Sequence, residues 1–328
     1  MLSPFTRQFS TGLRTNLFFS NANLSSARYA KGLQKTITPR VPILKSAFGP
    51  NFNRQFTYFK KTIISQVNGN GIRRSTTWNN YNKYHNRSNW DRLKKPFIFT
   101  VAFSVATTVV TPYLFDYTPM KYFKRNPRAL VWSIVALNAV VFLMWKVPSL
   151  QRYTMQYGIM FKDNLQSVWT MLGSAFSHQS FGHILVNMFA LQSFGTTLCA
   201  VLGVANFTIL YLNSAVISSF AALAIPTLMR SSLSFASLGA SGAVFSVFAA
   251  FSYLIPKAPI ALFFFPIPGG AWMLFLGTFA WNVAGVVLRW GVYDYAAHIG
   301  GSLVGLAYAY WYNIKRKEEL RRRQIRWF

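Results

Sequence analysis

One serine and one histidine are candidates for chemistry because they lie at the start of apolar segments, where polar side chains are energetically costly. Ser241 stands between Gly239 and Gly242 at the head of one such segment, and His298 stands at the head of another. Ionisable side chains at membrane depth usually serve a function. A serine hydroxyl needs an adjacent base to act as a nucleophile, and a histidine ring titrates close to working pH. We therefore predict a catalytic dyad, with Ser241 as nucleophile and His298 as general base.

Each member of this pair also has a purely structural interpretation. A serine flanked by glycines lets membrane helices pack closely, and a buried histidine can bond a backbone carbonyl of a neighbouring helix. Asp294 precedes His298 by four residues and could complete a triad. The plainer role for this aspartate is to cap the start of a helix at the membrane surface. A two-residue dyad is therefore the prediction.

His183 and Asn187 are four residues apart, so both side chains lie on one face of a helix. Both can donate hydrogen bonds, which a tetrahedral oxyanion requires in a site that is poor in water. With the backbone N–H of Ser241 they are predicted to form an oxyanion hole. An interhelical polar clamp is the alternative for the same two residues. His178, five residues before His183, is expected to brace the adjoining loop.

Gly301 and Gly305 give the segment of His298 a smooth face. Small residues four apart let a membrane helix approach its neighbour closely. Gly301 lies about one helical turn from His298, so the glycines and the histidine share a side of the helix. Packing of that side against the segment that begins at Ser241 is expected to bring the two catalytic residues together.

Seven segments are apolar enough to be membrane helices, since a span needs about 20 mostly apolar residues. They cover residues 96–114, 129–147, 182–202, 205–224, 241–254, 271–288 and 295–312. The fold class is therefore predicted to be an all-α polytopic membrane protein. Residues 96–115 are expected to form an additional N-terminal helix, and residues 129–312 a six-helix core. Residues 148–168 are predicted to be a mixed, half-embedded loop.

The fifth segment, residues 241–254, is informative because it is short. At a rise of 1.5 Å per residue it reaches only about 21 Å, against a hydrocarbon thickness of about 30 Å. If its far end lies at one interface, Ser241 lies about 9 Å below the other. The loop ahead of Ser241 must then dip into the membrane, which is tolerated only where it lines a cavity in the protein.

The first 70 residues are predicted to be a mitochondrial transit peptide and basic leader. They are rich in arginine and serine, and no acidic residue precedes Asp91. Apolar residues recur every three or four positions at Leu2, Phe5, Phe9, Leu13 and Leu17. This pattern is typical of a transit peptide and lacks the unbroken apolar core of a secretory signal. A basic disordered tail that binds anionic lipid or nucleic acid is the alternative.

The remaining composition favours a membrane protein. Residues 71–95 are predicted to be a polar linker and residues 313–328 a basic C-terminal tail. A formal charge of +28 could indicate nucleic acid, but with 52% hydrophobic residues in long segments we expect no nucleic-acid partner. Cys199 is the only cysteine, which excludes an intrachain disulfide and a cysteine metal site. No metal and no cofactor are expected.

Three motifs together resemble the rhomboid intramembrane serine proteases. They are Gly239-x-Ser241-Gly242, Ala297-His298-x-x-Gly301-x-x-x-Gly305 and His178-x-x-x-x-His183-x-x-x-Asn187. The resemblance implies the same nucleophile, base and oxyanion donors, with the glycines and His178 in support. It also implies that the ring of Phe245 stacks on the catalytic histidine. Trp169-Thr170 departs from a Trp-Arg pair found in many bacterial members, so the support of that loop is expected to differ.

The additional helix and the leader resemble the mitochondrial, fungal-like branch of this family. That branch implies a multi-pass protein of the inner membrane that needs the mitochondrial import and processing machinery. Its substrates are expected to be single-span proteins in the lipid bilayer, cut in or near the membrane anchor, including a dynamin-like GTPase. Lateral entry is expected beside the sixth segment, whose leading loop contains Pro266, Pro268, Gly269 and Gly270.

Two other functions are alternatives to proteolysis. A catalytically weak or inactive relative that binds transmembrane partners would be marked by loss of the serine or the histidine, and both are present. A transporter would usually contain repeats and charged residues at the midplane of its spans, and these segments have almost none.

Overall fold

The computed structural model describes residues 88–231, 233, 236–262, 265–290 and 293–325. The predicted leader and residues 71–87 of the predicted linker lie outside the described residues. The described helices are α1 (Asn89–Tyr117), α2 (Tyr122–Arg125), α3 (Pro127–Met144), α4 (Pro148–Tyr157), α5 (Thr170–Gly173), α6 (Phe181–Leu202), α7 (Val204–Leu228), α8 (Ser241–Leu254), α9 (Gly270–Val287) and α10 (Tyr295–Ile325). Short 3-10 turns occupy Pro119–Lys121 and Ser174–Phe176.

Two small antiparallel pairs complete the described part. Strand β1 (Met160–Phe161) pairs with β2 (Ala236–Ser237), and β3 (Ala261–Leu262) pairs with β4 (Phe265–Pro266). The all-α polytopic class is confirmed: α3 and α6 to α10 form a six-helix core, and α1 is the additional N-terminal helix. Helices α1, α3, α6, α7 and α9 are long and apolar enough to cross a membrane, and α8 is a shorter apolar helix.

The boundaries differ from the prediction at three places. Helix α1 begins at Asn89 because the Ser88 hydroxyl accepts a hydrogen bond from the Asp91 N–H at 3.2 Å, so residues 89–95 are helical and not linker. Residues 148–168, predicted to be a mixed, half-embedded loop, contain α4 and β1. Helix α10 continues through the predicted basic tail to Ile325, because nothing in residues 313–325 breaks a helix.

Helix α7 lies at the centre of the bundle. In its most apolar stretch 61% of the residues are buried, against 17–39% in the other four long spans. It contacts α1, α6, α8 and α10. Phe207, Leu210 and Tyr211 on α7 are fully buried or nearly so. Helix α7 therefore forms the inner wall against which the helices of the site are packed.

Helix α1 packs on α7 on the outside of the core. Asn213 of α7 donates a hydrogen bond to the Thr108 hydroxyl of α1 at 3.2 Å. Near the start of α1, the ring of Phe99 meets the ring of Trp169 edge-on, with ring centroids 5.1 Å apart. The loop that departs from the bacterial Trp-Arg pattern is therefore supported here by the additional helix.

Candidate active site

Ser241 is the first residue of α8, and the loop before it is held at three points. The Gly239 N–H donates to the Ser174 carbonyl at 2.8 Å, and the Ala240 N–H donates to Nε2 of His178 at 3.3 Å. Strand β2, just upstream, pairs with β1. Gly239 adopts φ +123°, a conformation that a residue with a Cβ rarely takes. The sequence around Ser241 thus fixes the hydroxyl at the head of a helix.

His298 lies in the first turn of α10 and faces Ser241. Its Nε2 is 2.9 Å from the Ser241 Oγ, which is hydrogen-bond distance. The helices can come this close because a Cβ on Gly301 would collide with the Gly242 carbonyl oxygen of α8, and one on Gly305 would collide with the Ser246 carbonyl oxygen. Both contacts match the expected packing of the glycine face.

Phe245 lies one helical turn after Ser241 and covers the other side of the histidine. Its ring stacks on the His298 ring with centroids 4.3 Å apart and planes at 26°. Gly242, on the same turn, allows α8 to approach α7, because a Cβ there would run into the Ser218 side chain. Close packing on two sides thereby limits the positions that the serine and the histidine can take.

Asn282 of α9 contacts the second nitrogen of the histidine, and the sequence did not single it out. Its Oδ1 is 2.7 Å from the Nδ1 of His298, and the residue is 3% exposed. The signal was an amide in the middle of an apolar segment, where a polar side chain needs a partner. Nothing in the spacing of the chain said that this partner is His298.

Asp294 and His298 are joined through the backbone, where the His298 N–H donates to the Asp294 carbonyl at 3.2 Å, and the carboxylate of Asp294 is bonded to groups other than the His298 ring. It forms an ion pair with Lys162 at 2.8 Å and accepts a hydrogen bond from the Ser237 hydroxyl at 2.6 Å. Its other oxygen accepts from the Ala297 N–H at 3.3 Å, in the manner of the expected helix cap. Burial by itself raises the pKa of Asp294, but Lys162 and the hydrogen bonds to it hold the pKa below the ordinary 3.8.

His183 reaches the serine loop, and Asn187 lies behind it on α6. A Cβ on Gly239 would lie only 2.6 Å from the His183 ring, so the glycine makes room for this histidine. The Asn187 side chain is buried and donates a hydrogen bond to the His183 carbonyl at 2.8 Å. Its amide nitrogen has a second hydrogen that remains able to donate.

His178 supports the loop that precedes Ser241. Its ring meets that of His183 edge-on with centroids 5.0 Å apart. Burial, followed by the neighbouring His183, lowers the pKa of His178 to about 3. The ring is therefore neutral at working pH, so that its Nε2 can accept the Ala240 N–H. Among the described residues, no group of three His, Cys, Asp or Glu side chains is arranged to hold a metal ion.

Comparisons with known proteins identify the family of the chain. A family described as "Rhomboid domain" matches residues 165–314. The chain is 42% identical over 306 residues to Rhomboid protein 1, mitochondrial, of Saccharomyces cerevisiae, covering 90% of this chain and 84% of that protein. It is 37% identical over 185 residues to Presenilin-associated rhomboid-like protein, mitochondrial, of Homo sapiens, covering 54% and 47%.

A plant protein extends the comparison. RHOMBOID-like protein 12, mitochondrial, of Arabidopsis thaliana is 31% identical over 194 residues, which is 55% of this chain and 57% of that protein. The likeness to the yeast protein runs through nearly the whole chain, including the extra helix, and is accompanied by several apolar helices. The chain thus belongs to the mitochondrial, fungal-like branch of the rhomboid family and is a multi-pass membrane serine protease of the rhomboid type.

Proposed function

We propose that this protease uses Ser241 and His298 as its catalytic dyad, in the mitochondrial inner membrane. Its substrates are single-span membrane-anchored proteins, which it cuts within or near the anchor. The observation that carries the proposal is the 2.9 Å contact between Ser241 Oγ and His298 Nε2, made between two helices whose glycines permit backbone contact. A serine paired with a base in this geometry is the general arrangement for nucleophilic acyl transfer.

The reaction runs in two halves. His298 Nε2 takes the proton of the Ser241 hydroxyl as Oγ attacks the carbonyl carbon of the scissile peptide bond. The protonated ring then gives this proton to the leaving amine, and an acyl-enzyme remains on Ser241. In the second half, water loses a proton to Nε2 and attacks the ester. The ring returns the proton to Oγ, which leaves the new carboxyl terminus and the free enzyme.

Donors for the oxyanion come from the loop and from α6. Ser241 is the first residue of α8, and the first amides of a helix have no acceptor within the helix. His183 lies against Gly239, two residues from the nucleophile, and Asn187 follows one turn later on the same helix. We assign these two side chains and the Ser241 N–H to the oxyanion hole. Each such donor contributes about 3 kcal/mol to transition-state stabilisation in other serine proteases.

The site also explains why an anchor is a suitable substrate. In a regular helix every backbone carbonyl is hydrogen-bonded, so a segment must leave the helical conformation before Ser241 can attack it. Anchors with glycine or proline near the cut are therefore the preferred class. The anchor of a dynamin-like GTPase of the inner membrane is the candidate that the family resemblance suggests. The leader of this chain is proposed to require the mitochondrial import and processing machinery.

The test is cleavage of an anchored model substrate by purified protein in liposomes. Ser241→Ala and His298→Ala are expected to be silent, because each removes one half of the proton transfer. Ser252→Ala is the matched control: Ser252 lies buried on the same helix and bonds to no described group. That variant is expected to cut like wild type. Circular dichroism and thermal unfolding establish that all three variants are folded.

The outcomes separate the proposal from its rivals. Continued cleavage by Ser241→Ala would show that another group is the nucleophile. If Ser252→Ala loses as much cleavage activity as Ser241→Ala, any substitution on α8 is harmful, and the result does not identify Ser241 as the nucleophile. A folded wild type that binds anchors with glycine or proline and cuts none of them would favour the binding-only relative. An anchor of leucine alone, matched in length, is expected to remain uncut.

A further inference from the structure

We propose that Asn282 is a third member of the site: a positioning residue that holds one ring nitrogen of His298 so that the other faces Ser241 with a free lone pair. The inference rests on the proposed dyad and adds a specific role for helix α9. Asn282 Oδ1 lies 2.7 Å from His298 Nδ1, and the two residues belong to different helices. The amide is almost fully buried, at 3% exposure.

The direction of this hydrogen bond follows from the other end of the amide. The Asn282 Nδ2 donates to the Thr278 backbone carbonyl at 2.7 Å. A carbonyl oxygen only accepts, so the amide atom beside it must be the nitrogen. The atom that faces His298 is then Oδ1, which also only accepts. His298 must therefore carry its proton on Nδ1, and Nε2 is left as the acceptor of the Ser241 proton.

A second asparagine shows the same use of an amide against α10. Asn206 of α7 donates from Nδ2 to the Leu202 carbonyl at 2.9 Å, and its Oδ1 accepts from the Tyr308 hydroxyl at 3.1 Å. In both cases a bond to the preceding turn of the chain fixes the amide and turns its oxygen outward. Asn206 meets a tyrosine, which has only one donor. Asn282 meets the residue whose tautomer decides catalysis.

The role falls to Asn282 because the nearby carboxylate is otherwise engaged. Asp294 lies one turn before His298 but is paired with Lys162 and bonded to Ser237. Without Asn282, the neutral imidazole is free to carry its proton on Nε2 instead of Nδ1. In that tautomer Nε2 cannot accept the serine proton. The carbonyl dipole of Asn282 also faces the positive charge that develops on the ring during attack. A neutral amide does this without placing an unpaired charge in the membrane.

The kinetic test compares three variants of the full chain in liposomes. Asn282→Leu keeps the size of the side chain and removes the acceptor; we expect kcat to fall about 10- to 100-fold with KM changed less than about threefold. Asn282→Asp keeps an oxygen toward Nδ1 and is expected to recover part of kcat, with a loss of stability because its charge is buried. Thr278→Val is the control: among the described residues the Thr278 hydroxyl bonds the Phe275 carbonyl, and the backbone carbonyl of residue 278 that fixes Asn282 is retained.

A spectroscopic test reads the tautomer without any substrate. The chain has four histidines, so ¹⁵N-histidine labelling gives few signals, and His298→Ala identifies the one of interest. At a pH of about 8.5, above the ordinary histidine pKa of about 6.5, wild type should show His298 protonated at Nδ1. Asn282→Leu should populate the form protonated at Nε2. Ser241→Ala should retain the wild-type tautomer, since Asn282 is still in place.

The two readouts distinguish failure of this inference from failure of the dyad. If wild type carries the proton on Nε2, or if folded Asn282→Leu retains full kcat, Asn282 does not position the ring. If Thr278→Val loses as much kcat as Asn282→Leu, the loss reflects the packing of α9 and the inference is again wrong. If Ser241→Ala still cuts while the tautomer follows Asn282, the proposed nucleophile fails and the positioning contact survives.

Discussion

Helix α10 meets α8 and α9 in two different ways. Against α8 the contact at Gly301 and Gly305 is backbone to backbone, since a Cβ on either glycine would collide with main-chain oxygens, and the Phe245 ring of α8 stacks on His298. Against α9 the contact is made by side chains, namely the Asn282–His298 hydrogen bond and the Tyr295 ring, which lies over Gly285. Only 22% of the most apolar stretch of α9 is buried.

The difference assigns separate tasks to the two interfaces. Backbones in contact have no soft side chain between them, so α8 and α10 set the distance from Ser241 to His298. Side chains can turn or withdraw, so α9 sets the orientation of the histidine ring and not its distance from the serine. A change at the glycine contacts of the first interface should therefore abolish catalysis, and a change at the second interface should weaken it or leave it intact.

The largest effect is expected when a side chain is placed in the seam between α8 and α10, by which we mean the backbone contact of Gly301 and Gly305 with α8. Gly301→Leu forces the helices apart at the level of Gly242, and we expect at least about a 100-fold loss of kcat, since a displacement of about 1 Å has that effect. Overpacking should also lower the unfolding temperature. Leu303→Ala is the control because Leu303 is exposed on the same helix. Full activity in folded Gly301→Leu would contradict the assignment of distance to this seam.

The ion pair between Lys162 and Asp294 tests whether contacts outside the helices add to the stability that the contact between α8 and α10 provides. The two side chains are 8% and 19% exposed, so Lys162→Met leaves a largely buried carboxylate without its cation. We expect a loss of about 1.5–3 kcal/mol in the free energy of unfolding, the range for hydrogen bonds to charged groups. Replacing Asp294 by leucine in the same variant should recover part of the loss. If the free energy of unfolding of Lys162→Met equals that of wild type, the ion pair adds nothing to the stability that the contact between α8 and α10 provides.

The same ion pair predicts a dependence on pH. The folded pKa of Asp294 lies below its ordinary value of 3.8, so the stability from this pair is fully present above that value. It is lost as the pH falls through the folded pKa. In Lys162→Met burial is no longer offset by the cation, so the carboxylate takes up its proton at a higher pH than in wild type. The stability difference between the two proteins should therefore be largest near neutral pH and shrink steadily as the pH falls towards about 4. A difference that grows in acid would have the wrong sign.

A smaller effect is expected at the ring that stacks on His298. Phe245→Leu removes the stacked face while keeping an apolar side chain, and Phe245→Tyr keeps the ring. A stacked pair contributes about 0.5–1.5 kcal/mol beyond burial, which corresponds to a loss of kcat of up to about tenfold for leucine. Tyrosine should cut like wild type. Equal activity of the leucine and tyrosine variants would show that α8 contributes distance and no orientation.

Much of this site could be predicted from local rules. Ser241 and His298 are candidates from the sequence because polar residues at the heads of apolar segments are costly, and the spacing of Gly301 and Gly305 predicts their common face. The length of α8 was read directly from the apolar segment that ends before Pro256. These features depend on neighbours within one helix, or on a rule of close packing that any two such helices obey.

The contacts that were missed depend on which helix lies beside which. Asn282 is one amide in an apolar segment, and its partner follows only from the rotation of α9 against α10. Lys162 and Asp294 lie far apart in the chain. The pairing of β1 with β2 places the segment of Lys162 next to Ser237, and the Ser237 hydroxyl bonds to Asp294. Helix α1 begins at Asn89 because Ser88 caps it, but residues 89–95 are polar. A prediction based on apolar residues therefore places the start of the helix too late.

The smallest expected effect lies on the open side of α9. A Cβ on Gly277 would meet nothing within 4 Å, whereas one on Gly285 would lie 2.6 Å from the Tyr295 ring of α10. Gly277→Ala should change kcat less than about twofold and leave stability equal or slightly higher, because alanine is the better helix former. Gly285→Ala should lower kcat, since the Tyr295 ring must shift. If cleavage of an anchored substrate falls in Gly277→Ala while a soluble peptide is cut normally, the open side of α9 is in contact with the anchor, and α9 then serves substrate entry in addition to the orientation of His298.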